Sequence, residues 1–323
     1  MINTYLFTEG KFKQDVSLDD WRSLVSGNCA LLWVDISEFS KNEMEDIASK
    51  FGLHQLAIES CLDGYRRPHL YEFEDHFYVN MTLLGQRNHK NHGVKPGEMH
   101  LFVGSKYIII ASKDKTSDAV SNAIKEYQDT PGLCSRGPMY GVYLLAEDLV
   151  ESYFPIVENL DNQADDIESQ MLENATKRSL NKLFSLKRDG FELRRLLGPQ
   201  RDIFSELARR DFSFIGGENK VYFQDVYNRM IRIFDMLDTI REILSGSLDI
   251  YLSTVSNRLN QVMKVLTVVA TILMTLSFIT GFYGMNFKYL PWLHAPNAFR
   301  NVTILMIAIT IGMLWWFRKI KWL

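Results

Sequence analysis

The sequence predicts an α/β N-terminal cytoplasmic domain that runs into a long helical stalk and two C-terminal transmembrane helices. Three observations lead there. Short β-rich runs alternate with stretches of helical apolar spacing over the first part of the chain. From Glu218 to Thr280 there is no proline and the only glycine is Gly246, so one helix can run unbroken. Finally, two stretches near the end carry no charge: Val265–Tyr283, with 19 residues, and Asn301–Phe317, with 17. A helix needs roughly 20 apolar residues to cross a bilayer.

The β-rich runs are "ALLWVDI" (30–36), "HFYVNMTLL" (76–84), "EMHLFV" (98–103) and "YIIIAS" (107–112), the third expected to pair with the fourth. "KNEMEDIASKFGL" (41–53) and "HQLAIESCL" (54–62) have helical spacing, and "QRNHKNHGVKPGE" (86–98) reads as a polar loop. Residues 1–135 are therefore assigned to the α/β domain. From Tyr140 the pattern is continuously helical. Residues 137–176 carry nine acidic side chains and no Lys or Arg, whereas 177–210 carry ten basic against four acidic. This predicts an antiparallel helical hairpin over 136–217, with oppositely charged faces and a break at Gly216-Gly217.

The stalk is expected over 218–264, at roughly 90 Å for the whole helix if unbroken. Asp249, Ser256, Met263, Ala270 and Ser277 recur at sevens, as do Leu252, Leu259, Leu266 and Leu273, a spacing that favours packing about a common axis. The spans are 265–283 and 301–317, with an outer loop (284–300) between them and a basic tail (318–323). Tyr289, Trp292, Trp315 and Trp316 lie near their ends, where an aromatic belt would place them. Arg258, Lys264, Arg318, Lys319 and Lys321 flank one side, against Lys288 and Arg300 in the loop. The excess of positive charge puts both termini in the cytoplasm of a cell inner (plasma) membrane protein.

Other classes are disfavoured. With 36 Lys and Arg against 39 Asp and Glu, a net charge of −3, nothing suggests a nucleic-acid partner. The N-terminus has no signal-peptide pattern. The three cysteines, Cys29, Cys61 and Cys134, are widely spaced and read as reduced cytosolic thiols. No Walker loop, Gly-x-Ser-x-Gly elbow or His-Glu-x-x-His helix occurs, so the chain is not read as an enzyme and no catalytic residue is assigned. Two spans per chain cannot enclose an aqueous path, so conduction requires several identical subunits around an axis.

"YGMNF" (283–287) after the first of two C-terminal spans, with the closing "RKIKWL", resembles the CorA-type magnesium and cobalt channels. "SNRLNQVMKVLTVVATILMTLSFITGFYGMNF" (256–287) is similar almost position by position, "YFQDVYNRMIRIFDMLDTIREILSGSLDIYLS" (222–253) also, and "RRPHLYEFEDHFYV" (66–79) more weakly. The resemblance implies a homopentameric funnel that passes Mg2+, with Co2+, Ni2+ or Zn2+ as other cargo. It implies an outer ion-binding ring of Gly284, Met285 and Asn286, and pore-facing Asn260, Met263, Leu266, Met274 and Ser277. Magnesium gives up water reluctantly, so neutral amide oxygens suit a hydrated ion, and Met and Leu rings can close by excluding water. Gly281 and Gly284 are expected to permit the bend that turns Asn286 to the axis.

Three departures stand out. The outer loop "YLPWLHAP" with Lys288, His294 and Arg300 is basic where the family is commonly acidic. Asp225 matches a stalk aspartate that forms a regulatory metal site in some members, but the matching partner stretch offers Arg87, His89 and His92 and no carboxylate. An arginine beside Asp225 would neutralise it without metal, unless Glu72, Glu74 or Asp75 supplies the partner. Thr275 stands where the first span usually has proline. The alternative readings are a ZntB-like zinc transporter and a membrane-anchored metal sensor using His89, His92 and His100.

Overall fold

The computed structural model describes the chain except Gly10, Asn28, 64–66, 86–95, Thr116, Pro131, Asp211, 213–218, 286–296 and Leu323. It divides into two compact units, Met1–Ser169 with Arg178–Gly246, and Gln170–Lys177 with Ser247–Leu323.

In the first unit, seven strands among the described residues form one sheet: β1 (Ile2–Thr8), β2 (Lys11–Gln14), β3 (Ala30–Ser37), β4 (His69–Glu72), β5 (His76–Leu84), β6 (Pro96–Gly104) and β7 (Tyr107–Ser112). Their order is β2-β1-β3-β7-β6-β5-β4, with β3 and β7 parallel and the other pairs antiparallel. The expected β6–β7 pairing is present, with Leu101 opposite Ile110. The apolar runs that signalled β3 and β7 are continuous because both strands are buried along their whole length, as central strands covered on both faces must be. Short β1, β2 and β4 were not anticipated. "NTYLFT" and "HLYE" alternate weakly, and pairing with a long neighbour holds them in place.

One face of the sheet is covered by α2 (Lys41–Phe51) and α3 (Gln55–Leu62), which follow the short helix α1 (Trp21–Leu24). Met44, Ile47, Phe51, Ala57, Ile58 and Cys61 pack there with Leu32, Val34, Ile36 and Ile109. Helix α2 starts in a capping box, Ser40 and Glu43 each satisfying the other's backbone N–H. On the other face lie α4 (Asp118–Asp129), a 3-10 turn (Leu133–Arg136) and α5 (Pro138–Glu151), with the Tyr127 ring of α4 against Trp33 and Phe7.

The chain beyond Tyr140 is not one continuous pattern. It breaks at Ser152-Tyr153 and again between α6 (Phe154–Asn174) and α7 (Lys177–Arg209). Apolar positions spaced by threes and fours are buried on both helices: Val157, Leu160, Ala164 and Ile167 on α6, and Leu183, Leu186, Leu193, Leu197 and Phe204 on α7. Helix α8 (Asn219–Tyr283) contributes Phe223, Val226, Met230, Ile233, Leu237, Ile240 and Leu244. This is the spacing of helices packed knobs into holes. An ion pair of α7 runs to α8, Arg194 to Asp238, so the basic helix is engaged by the stalk. Fully buried Gln200 on α7 joins the bundle to the sheet. Its Oε1 accepts from Thr82 N (2.8 Å) and its Nε2 donates to Tyr153 Oη (2.8 Å), while Tyr153 Oη donates to Thr82 O.

One sequence expectation fails outright. Cys29 and Cys134 form a disulfide across 105 residues, with Cα atoms 5.5 Å apart, and only Cys61 is a free, buried thiol. Spacing along the chain carried no sign of it, because the fold brings the start of β3 against the 3-10 turn.

Candidate functional site: the C-terminal helical hairpin and its approach

Helix α8 continues through the first apolar run, and α9 (Ala298–Lys319) carries the second. Both are long and apolar enough to cross a membrane, and their most apolar stretches are only 6% and 0% buried in the chain. The core hairpin of a soluble protein would be covered by the rest of its chain, and these stretches are not. Each helix hides one row. On the apolar run of α8 the less exposed residues are Val268, Thr271, Ile272, Thr275, Leu276, Ile279 and Tyr283, and on that of α9 Val302, Met306, Ile309, Thr310, Met313 and Phe317. Val268 and Phe317 are the most covered, at 3% and 4% exposed. Trp322 shares a cavity lining with Asn257, Asn260, Lys264 and Thr267, so the end of α9 returns to the start of the first span. Arg258, Lys264, Arg318, Lys319 and Lys321 therefore gather at one end of the hairpin.

At about 100° per residue, Asn260, Met263, Leu266, Met274 and Ser277 fall in one stripe about 120° wide, roughly 150° from the covered row. All five are exposed, Met274 at 73%. The structure thus brings these positions onto one exposed face of one helix, where Asn260 and Met263 border the cavity that Trp322 also lines. Threonine hydroxyls here are satisfied within the helix: Thr267 donates to Met263 O (2.8 Å), Thr271 to Thr267 O (2.7 Å) and Thr275 to Thr271 O (2.8 Å). With threonine rather than proline at 275, the helix continues unbroken through that position.

Helix α8 ends at Tyr283, where Gly284 N donates to Thr280 O at 2.9 Å. A Cβ at Gly284 would sit 3.0 Å from that same carbonyl, whereas one at Gly281 would meet nothing within 4 Å. Of these two glycines, only Gly284 stands where a side chain would be crowded. Met285 follows, exposed, and Asn286 lies outside the described residues, as do Lys288, Tyr289, Trp292 and His294.

Asp225 sits near the start of α8 and is half exposed. Its carboxylate accepts from Arg229 Nε at 3.0 Å, and the same guanidinium reaches Glu147 (2.9 Å) and Glu151 (3.1 Å) on α5. The neutralising arginine is thus Arg229, one turn along the same helix, while Arg87 lies outside the described residues. Glu72, proposed as an alternative acid, faces Arg210 at 3.6 Å. The i,i+4 spacings Asp225/Arg229 and Glu147/Glu151 were visible in the sequence, but their meeting was not. Three carboxylates around one guanidinium leave excess negative charge, and Tyr143, hydrogen-bonded to Glu147, has its phenol pKa pushed up by burial and then by that carboxylate.

His100 lies in β6, within the expected β-rich run, and is fully buried. Its Nδ1 shares a hydrogen bond with Tyr78 Oη at 2.9 Å, and burial, with smaller help from Lys113 and His69, lowers its pKa to about 3. His89 and His92 lie outside the described residues. Among the described residues no group of three or more His, Cys, Asp or Glu is disposed to hold a metal ion.

The model of one family, the CorA-like Mg2+ transporter proteins, matches residues 28–319. The chain belongs to that family. Among curated CorA-family relatives it is 34% identical to the cobalt/magnesium transport protein CorA of Thermotoga maritima over 293 residues, 90% of this chain and 83% of the other. It is 30% identical to the putative metal ion transporter YfjQ of Bacillus subtilis over 323 residues, 100% and 98% of the two chains. The zinc transport protein ZntB of Pectobacterium carotovorum is more distant, at 23% over 249 residues, 75% and 74% of the two. The CorA magnesium transporter structure from Methanocaldococcus jannaschii superposes with a TM-score of 0.83, covering 100% of this chain and 99% of that one at 24% identity. It shares the α/β domain, long helix and two apolar helices.

Proposed function

We propose that this chain is a divalent-cation channel of the inner membrane, Mg2+ being its foremost cargo and Co2+ and Ni2+ alternatives, that works as a homopentamer with both termini in the cytoplasm. The observation that carries this reading is the exposed α8 stripe of Asn260, Met263, Leu266, Met274 and Ser277, opposite the less exposed row. Exposing Met and Leu to water costs about 1.5–3 kcal/mol each. Lipid can cover the apolar members of that stripe but not the amide of Asn260, so other copies of the chain are its natural neighbours. Five such stripes around an axis would form a pore with a polar inner end and an apolar constriction. At the outer end Asn286 would hold the ion through its water shell, as the reluctance of magnesium to dehydrate requires.

The names of the more similar relatives favour magnesium and cobalt. The zinc reading, supported by the basic outer loop and the ZntB relatives, is the second choice. A family of transporters gives no place to an enzymatic step, and no catalytic residue is assigned. The test is flux into liposomes containing the purified chain, comparing Mg2+, Co2+, Ni2+ and Zn2+ with and without a pH gradient. Flux of Mg2+ and Co2+ driven by voltage alone supports the proposal, and Zn2+ flux that needs the gradient supports the alternative. Absence of any flux from assembled protein would reduce it to an anchored sensor. Native mass spectrometry in detergent should show five subunits.

A further inference from the structure

The disulfide stands where nothing in the transport reading uses it. Cys134 lies in the 3-10 turn Leu133–Arg136, flanked by Gly132 and Gly137, both at positive φ (96° and 76°). The turn is tied to β3 through Cys29. Two residues on, Arg136 Nη1 donates to Tyr222 Oη at 3.2 Å, and its guanidinium lies 4.7 Å from the Tyr140 ring centre. Tyr222 belongs to the first turn of α8 and packs on Tyr140 (5.4 Å) and Tyr143 (4.9 Å). Further along α5, Glu147 and Glu151 clamp Arg229 of α8. The bonded turn is thus one end of a continuous attachment between α5 and the start of the stalk.

The bond is also reachable. Cys29 is only half-buried, and Cys134, itself 7% exposed, lines a cavity of about 100 Å3 with Phe7, Lys11, Phe12 and Gly132 among others. The Lys11 ammonium at its rim would draw in a thiolate. Disulfides exposed to cytosolic thiols are usually transient and redox-sensing.

We infer that Cys29–Cys134 is a reversible thiol–disulfide site, opened by low-molecular-weight thiols of the glutathione class, whose closed state braces the start of the stalk helix. A thiolate RS− attacks Cys134 Sγ through the cavity, breaking the S–S bond and releasing Cys29 as a thiolate that takes a proton from water. A second RS− attacks the RS–Sγ bond, forms RSSR and releases Cys134. In sum the protein disulfide gains two electrons and two protons, and two RSH become RSSR. With the tether open, the glycine-flanked turn is free of β3, and Arg136 no longer has a fixed position against Tyr222.

The test uses the full chain in lipid nanodiscs and needs no transport measurement. Folded protein is equilibrated with defined reduced/oxidised glutathione ratios, reactive thiols are counted by alkylation and mass spectrometry, and amide hydrogen exchange is followed. Reduction should expose two thiols, with buried Cys61, its pKa raised to about 12, alkylated only after unfolding. Exchange over 133–143 and 219–229 should quicken about fivefold or more, and reoxidation should reverse it. Cys29→Ser and Cys134→Ser should each exchange like the reduced wild type at every ratio. Three free thiols under oxidising glutathione, a bond that opens only in denaturant, or exchange at 219–229 that ignores the thiol state would each overturn the inference.

Discussion

Helix α8 buries two faces by two different means. Between Phe223 and Leu244 every third or fourth side chain is packed against α6 and α7 of its own chain. Below Gly246 the apolar content rises, yet Leu252, Leu259, Met263, Leu266, Leu273 and Met274 are all more than half exposed. Read along the sequence, both halves show repeats of threes, fours and sevens. The difference is what lies beside them: among the described residues α5 and α7 both contact the first part, whereas the apolar stretch of the second part is only 6% buried. Apolar spacing therefore specifies that a helix packs, and the rest of the chain decides whether the partner is internal, lipid or another copy.

Substitutions that separate the two halves test this contrast, beginning with the largest effect. Asn286→Ala, three residues past the end of α8, should bring divalent-ion flux down to that of empty liposomes while the oligomer still assembles; undiminished flux would remove Asn286 from the ion path. Leu266→Asp or Met274→Asp should wet an apolar constriction and give a standing leak in planar bilayers, with melting of the α/β unit unmoved. A tight, correctly assembled variant would show that the position is not a gate.

In the upper half the cost should appear as stability instead. Phe223→Ala removes a fully buried ring and should destabilise the first unit by about 3–5 kcal/mol. Leu266→Ala should leave that unit within about 0.5 kcal/mol of wild type. Denaturant titration in detergent compares the two, and equal losses would abolish the distinction between the halves.

Acid should act on the first unit through His100. Its folded pKa, near 3, is below the ordinary value of about 6.5, so between these limits the unfolded chain binds the extra proton. Stability is then unaffected above pH 6.5 and falls as pH drops toward 3, by up to about 1.4 kcal/mol per pH unit. His100→Gln should flatten that slope in the melting temperature measured against pH.

The smallest effect is expected at the top of the stalk. Asp225→Ala should alter the inhibition of flux by internal Mg2+ only slightly, because the Arg229 guanidinium already holds that carboxylate at 3.0 Å. Steep millimolar inhibition that vanishes in the variant would establish a metal site there.

Much of this molecule was legible one segment at a time. Charge-free runs long enough to span a bilayer, a glycine and asparagine after the first of them, proline-free helix over sixty residues and β-rich runs in the N-terminal part are local signals. They report the chain's own periodicity and solvent preference, and they led to the two spans and the main strands, while the pore-facing set on α8 came from the family resemblance. Even the need for glycine at 284 is local, arising from a carbonyl four residues back.

Other features depended on residues far apart in sequence. Short β1 and β4 hold because a longer strand supplies their hydrogen bonds. Asp225 is engaged by Arg229, which is tied in turn to two glutamates about 80 residues upstream. His100 is neutral because the sheet and its cover exclude water, and Cys29 meets Cys134 because β3 and the 3-10 turn share one edge of the fold. The sequence alone determined which segments cross or avoid lipid, since that preference belongs to each segment's own side chains. The tertiary structure decided which charges, thiols and imidazoles meet, because such pairing costs chain entropy and desolvation that only the folded core as a whole offsets.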